Sequence, residues 1–155
     1  QLLIIGKDPS GADRAHYEEV LGHGDFLYSH RSTADSSYRA ADRPRMLVFS
    51  SSTLGYEALA RGQRVAAFFT DIELTGSRGE RFGWPLALPD EGPFWMHRLD
   101  EHDIASMLDR IDAMTDAEWR SVAEPIVSQL ITFDLGNTTL RSVLRSALDG
   151  VGRMR

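Results

Sequence analysis

Over its first 69 residues the chain alternates short apolar runs with helix-length segments, and this restricts its fold more than any other feature. Leu2-Leu3-Ile4-Ile5 is a continuous apolar run ending at Gly6-Lys7, the pattern of a strand buried on both faces. Residues 12–21 follow as a helix, with Ser10 and Asp13 as its starting signal and Gly22 as its stop. Residues 26–29 read as a second strand. Residues 36–41 read as a short helical turn broken before Pro44, and 46–49 as a third strand. A helix over 54–61, stopped by Gly62, leads into a fourth strand over 64–69. Strands separated by helices predict a parallel sheet wound by right-handed crossovers.

The pattern changes after Phe69. Residues 70–94 are rich in glycine and proline and have few periodic apolar positions, and so long an irregular stretch is often functional. The last third is helical. Asp100 with Asp103 starts one helix, Thr115 with Glu118 forms a capping box for a second, and Asn137 caps a third. The third helix carries an apolar stripe of Leu140, Val143, Leu144, Ala147 and Leu148. The expected class is therefore α/β: a Rossmann-like parallel sheet flanked by helices, with a helical C-terminal third. Residues 1–150 are expected to form one domain, and 151–155 a frayed end. The chain runs straight into an apolar strand, which reads as a segment of a longer protein.

Composition removes several function classes. Cysteine is absent, which excludes disulfide scaffolds, thiolate metal sites and cysteine nucleophiles. Acidic residues outnumber basic ones 23 to 17, for a net charge of −6. That balance argues against a general binder of nucleic acid or anionic membrane, while allowing a local basic pocket for one phosphorylated ligand. No apolar run approaches the ~18 residues of a membrane span, and the Leu2–Ile5 run is too short for a signal peptide. The expected location is cytoplasmic.

The most informative segment is 46–69. Ligands of open parallel sheets sit beyond the carboxyl ends of the strands, where Ser50, Ser51, Ser52 and Thr53 fall. Four successive hydroxyls entering a helix, beside the free amides of its first turn, can hold an anion without a metal. The plainer alternative is one N-cap with surplus serines. Gly55 lies within that helix and costs ~1 kcal/mol relative to alanine, so a ligand or a neighbouring backbone is expected to come close there. Glu57, one turn in, can accept two hydrogen bonds from vicinal hydroxyls such as those of ribose, or can be a surface carboxylate near the helix start. Lys7, the sole lysine of the chain, can neutralise a phosphate or extend into solvent. His30 and Arg31 end the second strand on the same edge and can meet a base or a phosphate, or form a surface pair.

The remaining signals are weaker. Trp84-Pro85 and Pro93-Phe94-Trp95 place aromatics in the long loop, either to stack on a base or sugar or to anchor in the core. Asp71-Ile72-Glu73 reads as a solvated loop. The histidines lack metal-binding spacing, so no metal site is expected. Neither a G-x-S-x-G elbow nor a P-loop is present.

Residues 47–69, LVFSSSTLGYEALARGQRVAAFF, resemble the donor-binding C-terminal half of GT-B glycosyltransferases, above all bacterial enzymes of capsule and lipopolysaccharide biosynthesis. In these a strand enters a Ser/Thr turn, then a G-[FY]-E-A-L helix, a glycine and a strand. The counterparts are Ser51-Ser52-Thr53, Gly55-Tyr56-Glu57-Ala58-Leu59, Gly62 and the strand that begins at Val65. Leu3-Ile4-Ile5-Gly6-Lys7 and Gly83-Trp84-Pro85 are similar more loosely.

The resemblance implies a nucleotide-sugar donor, with a CMP-activated sugar as first choice. Its phosphate would rest on Ser51, Ser52 and Thr53 near Gly55, with Lys7 in support, and Glu57 would hold the ribose. His30, Arg31 and Trp84 are the candidates for base or sugar contacts. It implies a metal-independent transferase with no cofactor beyond the donor. It also implies a missing N-terminal acceptor domain, against which C-terminal helices pack, and peripheral membrane association of the full-length enzyme. No catalytic base is assignable, and the chain alone is expected to transfer nothing. A polyol-phosphate transferase using a CDP-alcohol and a non-catalytic nucleotide-binding α/β module are the alternatives. A receiver domain is disfavoured, because Gly6-Lys7 stands where its acidic cluster would be.

Overall fold

The computed structural model describes residues 1–6, 8, 10–33, 35–69 and 81–152. Lys7, the Asp71-Ile72-Glu73 segment and the terminal 153–155 lie outside the described residues. The elements in order are β1 (Leu2–Ile5), α1 (Asp13–Leu21), β2 (Phe26–Ser29), α2 (Ser36–Ala41), β3 (Leu47–Phe49), α3 (Thr53–Ala60), β4 (Val65–Phe68), β5 (Trp95–Met96), α4 (Glu101–Ala113), α5 (Asp116–Leu130) and α6 (Thr138–Gly152). Every strand pairing within these sheets is parallel. This is the α/β architecture that the alternation requires.

The strands form two separate sheets, each one ladder: β1–β2 and β3–β4–β5. In the first, Leu2 stands opposite Phe26 and Ile5 opposite Ser29, and Gly6 N–H extends the ladder to the Ser29 carbonyl at 2.9 Å. In the second, Leu47 stands opposite Val65 and Ala67 opposite Trp95. β5 is a strand that the sequence pattern did not disclose. Two residues are too few to carry a period, and they sit at the end of a glycine- and proline-rich stretch. β1 is also less covered than its apolar run suggested. Leu2 is exposed and the other three residues are only half-buried, because α1 buries no residue and β3 does not pair with β1.

The core lies in the second ladder. Ala58 and Leu59 of α3, Val65, Ala66 and Ala67 of β4, Met107 and Ile111 of α4, and Trp119 and Ala123 of α5 are all buried. Aromatic rings bind these layers together. Phe82 is fully buried between Tyr56, stacked at 5.4 Å, and Trp95, stacked at 5.0 Å. Phe94 meets Trp119 edge-on at 5.3 Å, and the Trp119 indole donates to the Gly62 carbonyl at 3.1 Å. Phe94 and Trp95 are therefore core anchors, not stacking platforms for a ligand.

Caps agree with the sequence at two helices and differ at two. Asp100 accepts from the Asp103 N–H at 2.9 Å, and Thr115 and Glu118 close a full capping box. At α1 the capping position is Ala12, not Ser10; Ser10 Oγ accepts from the Ala12 N–H instead. At α6 Asn137 holds the position before the helix, its carbonyl taking the Arg141 N–H at 2.9 Å, but the side-chain cap comes from Asp134. Its carboxylate takes the Thr138 hydroxyl and the Thr139 N–H, both at 2.6 Å, which holds its pKa down at about 2. Asn137 adopts a left-handed conformation, φ 54°, so it supplies the turn and leaves the capping to Asp134.

Two side chains pin the segment after Phe82. The Phe82 N–H donates to His97 Nε2 at 3.0 Å, and the Gly83 N–H donates to the Tyr56 hydroxyl at 2.9 Å. His97 is itself buried, and its Nδ1 faces Asp90 at 3.5 Å. Nε2 can accept only when it carries no proton. Burial, and then the nearby Arg81 charge, lower the His97 pKa and keep the ring neutral.

Gly55 has a packing reason rather than a ligand one, since a Cβ there would lie inside the Phe49 ring. Gly55→Ala should cost about 1–3 kcal/mol of unfolding free energy through overpacking, as measured by denaturant titration; a neutral change would contradict this contact. A second expectation concerns pH. A neutral His97 contributes stability in full above its unfolded pKa of about 6.5, and that contribution is lost as pH falls through the lower folded value. Melting temperature should therefore drop more steeply on acidification in the parent chain than in His97→Gln, and parallel profiles would remove His97 from this role.

Candidate functional site

A cavity of about 960 Å3 lies between β1 and β3, the two strands that do not pair. β1 and Gly6 line one side. Met46, β3 and the turn from Ser50 to Gly55 line the other. Tyr17, Arg31, Ser37, Tyr38 and Pro44 complete the wall. The residues that follow both strands, Gly6 and Ser50, thus open onto one space. Val48, 53% exposed, faces outward from a strand whose other two residues are buried.

The hydroxyl turn has an unusual hydrogen-bond balance. Ser52 occupies the N-cap of α3 with extended backbone, yet no side chain caps that helix. Among the described residues, none pairs with the hydroxyls of Ser50, Ser51, Ser52 or Thr53. A single N-cap with surplus serines would have used one of them. The Gly55 N–H turns back to the Ser52 carbonyl at 3.1 Å, so the first turn of α3 presents the amides of Thr53 and Leu54, the positive end of its dipole and a row of hydroxyls without described partners at the cavity wall.

Two glycines on that wall are fixed by aromatic rings. A Cβ on Gly6 would overlap the Tyr28 ring, as one on Gly55 would overlap Phe49. The Tyr28 hydroxyl hydrogen bonds with Asp13, and burial together with that carboxylate pushes its pKa up to about 12. Both glycines keep the backbone beside the cavity free of side chains while the ring behind each sets its position.

The structure brings together some of the sequence candidates. Arg31, Ser51, Ser52, Thr53 and Gly55 share the cavity wall. Lys7 follows Gly6 but lies outside the described residues. Glu57 is half-buried and sits off the wall. It lies beside Tyr38 of the wall, and its carboxylate raises the Tyr38 pKa. Arg61 to Asp42 at 3.1 Å and Gln63 to the Ala41 carbonyl link the ends of α2 and α3. His30 is exposed and off the wall. Trp84 is 67% exposed and also off it, on the segment held by Tyr56 and His97.

Tyr38 and the anchoring roles of Tyr56 and His97 escaped the sequence reading. Tyr38 lies in a six-residue helix too short to show a period, and its approach to the turn depends on the α2–α3 docking. For Tyr56 a signal existed, because the G-Y-E-A-L segment and Gly83-Trp84-Pro85 were both singled out. The hydrogen bond from the Gly83 N–H to Tyr56 joins those two segments directly.

Among the described residues, no group of histidine and acidic side chains could hold a metal ion, and no helix is long and apolar enough to cross a membrane. No curated protein and no solved structure matches the chain. A family described as "putative O-antigen biosynthesis protein" matches residues 5–148. That span includes β2, the hydroxyl turn, the aromatic core and most of α6. The chain belongs to this O-antigen biosynthesis family, and so to the biosynthesis of surface polysaccharide.

Proposed function

We propose that the chain is the donor-binding domain of a metal-independent, GT-B-type glycosyltransferase, and that the β1–β3 cavity holds the nucleotide of an activated sugar. The observation that carries this reading is the uncapped start of α3. Four hydroxyls without partners among the described residues, and the amides of Thr53 and Leu54, stand at a cavity large enough for a nucleotide. Membership of an O-antigen biosynthesis family supports the same chemistry, since surface polysaccharides are built from activated sugars.

In this reading Ser51, Ser52 and Thr53 donate to the phosphate, and the α3 amides add their positive end. Arg31, which also lines the cavity, supplies a cation, and Lys7 adds a second. These donors are fixed before the reaction. They stabilise the charge that gathers on the phosphate as the glycosidic bond breaks, without having to reorganise. Glu57 binds the ribose hydroxyls with its carboxylate. Trp84, exposed but off the cavity wall, is the candidate for a sugar contact. CMP-linked sugars remain the first choice of donor. The acceptor and the catalytic base belong to an N-terminal domain outside this chain.

Ser52→Ala and Thr53→Ala should each weaken CMP more than cytidine in calorimetric titration, because cytidine has no phosphate to lose; equal losses for the two ligands would contradict the phosphate assignment. Glu57→Ala should weaken both ligands by about 1–3 kcal/mol through loss of charge-assisted hydrogen bonds. Tyr38→Phe, which leaves the carboxylate in place, should cost less than Glu57→Ala. Unchanged affinity in Glu57→Ala would exclude it from the site.

A further inference from the structure

Each of the two sheets leaves one strand edge without a partner, and these edges face each other. β1 pairs only with β2, and β3 only with β4. Both line the same cavity. In a parallel ladder, successive residues turn their N–H and C=O groups to opposite sides. The Gly6 N–H points to Ser29, so Ile4 also faces β2, and the backbone groups of Leu3 and Ile5 face the cavity. The Leu47 N–H points to Arg64, so the backbone groups of Val48 face the cavity from the other side. Leu2 and Val48 are the exposed residues of the two strands. Unpaired edges bearing uncovered apolar side chains favour any arrangement that pairs them.

One register satisfies these groups and fits the packing present. With Val48 opposite Ile4, the Val48 N–H reaches the Leu3 carbonyl, and the Val48 carbonyl takes the Ile5 N–H. Ile5 then stands beside Phe49, and Ile5 is the β1 residue that packs against the core cluster containing Phe49. Gly6 then stands beside Ser50, and these two open onto one space. A shift by two residues loses both matches. α2 packs against both β1 and α3, which ties the two sheets together while their strand edges stay apart. We propose that β1 and β3 close as a parallel pair in this register, joining the sheets in the order β2-β1-β3-β4-β5, and that this closing is how the site grips its ligand. The space between the strands fills, while the end bounded by Gly6, Arg31 and the hydroxyl turn remains for a phosphate. The ligand's part in the closing rests on the nucleotide reading; the strand pairing does not.

The test is residue-resolved amide exchange on the full chain, without ligand and with CMP, whose binding is followed separately by calorimetry. Without ligand, the Leu3, Ile5 and Val48 amides should be partly protected, exchanging faster than the paired amides of Phe49 and Ala67. With CMP these three should slow by about tenfold or more as the closed population rises. The chain has no cysteine, so engineered pairs give an independent reading. Ile4→Cys with Val48→Cys, on one face in this register, should form a disulfide under mild oxidation. Leu3→Cys with Val48→Cys, on opposite faces, should not. Three unprotected amides and no Ile4–Val48 cross-link overturn the proposal whether or not CMP binds, and CMP binding at the hydroxyl turn would then leave the donor site standing. Three amides as protected as Ala67 without ligand also overturn it, because the sheet would be joined permanently. No CMP binding, with partial protection and the cross-link formed, supports the strand closing and counts against the donor reading alone.

Discussion

The arrangement around the candidate site depends on a chain of aromatic contacts. Phe49 of β3 occupies the space where Gly55 lacks a side chain. Tyr56, the next residue, packs edge-on against Phe49 at 5.5 Å and flat on Phe82. Phe82 in turn stacks on Trp95 of β5. One run of rings thus joins the strand before the hydroxyl turn, the helix after it, the segment bearing Trp84 and the edge strand of the second ladder. Edge-to-face and offset contacts of this kind add about 0.5–1.5 kcal/mol each beyond the area they bury. They also fix geometry, because interlocked rings cannot slide without opening a void. The turn from Ser50 to Thr53 can leave its hydroxyls unpaired because the residues on either side of it are held by this core.

The first half of the architecture was legible because helix-length segments between apolar runs allow only parallel strands. The Thr115–Glu118 box and the Asp100–Asp103 cap were legible because both are local, three residues apart and chemically specific. Other features were not local. β5 is defined by its pairing with Ala67 and Phe68, not by its own two residues. Gly55 stood out in the sequence, but the group that claims its space is six residues upstream. Asp134 was overlooked beside Asn137 because either residue type can cap, and the left-handed backbone at Asn137 decided between them.

The candidate site shows the same division. The hydroxyl turn and its helix were readable as an anion site from four consecutive residues. Arg31 was readable as well, at the end of β2 on the same edge, whereas Tyr38 was not, because it arrives through the docking of α2. Glu57 shows how structural and ligand roles can share one residue. Tyr38 of α2 lies beside it and has its pKa raised by the carboxylate, which retains oxygen acceptors for other donors.

The central claim is that the β1–β3 cavity and the start of α3 receive a nucleotide phosphate. The most direct measurement is amide chemical-shift mapping of the chain during titration with CMP, with UMP, UDP, CDP and ADP as competitors. The account predicts saturable shifts centred on Gly6, Arg31 and the amides from Ser51 to Gly55, with a cytidine nucleotide competing best. Shifts centred elsewhere, or no shift for any nucleotide at millimolar concentration, would contradict it.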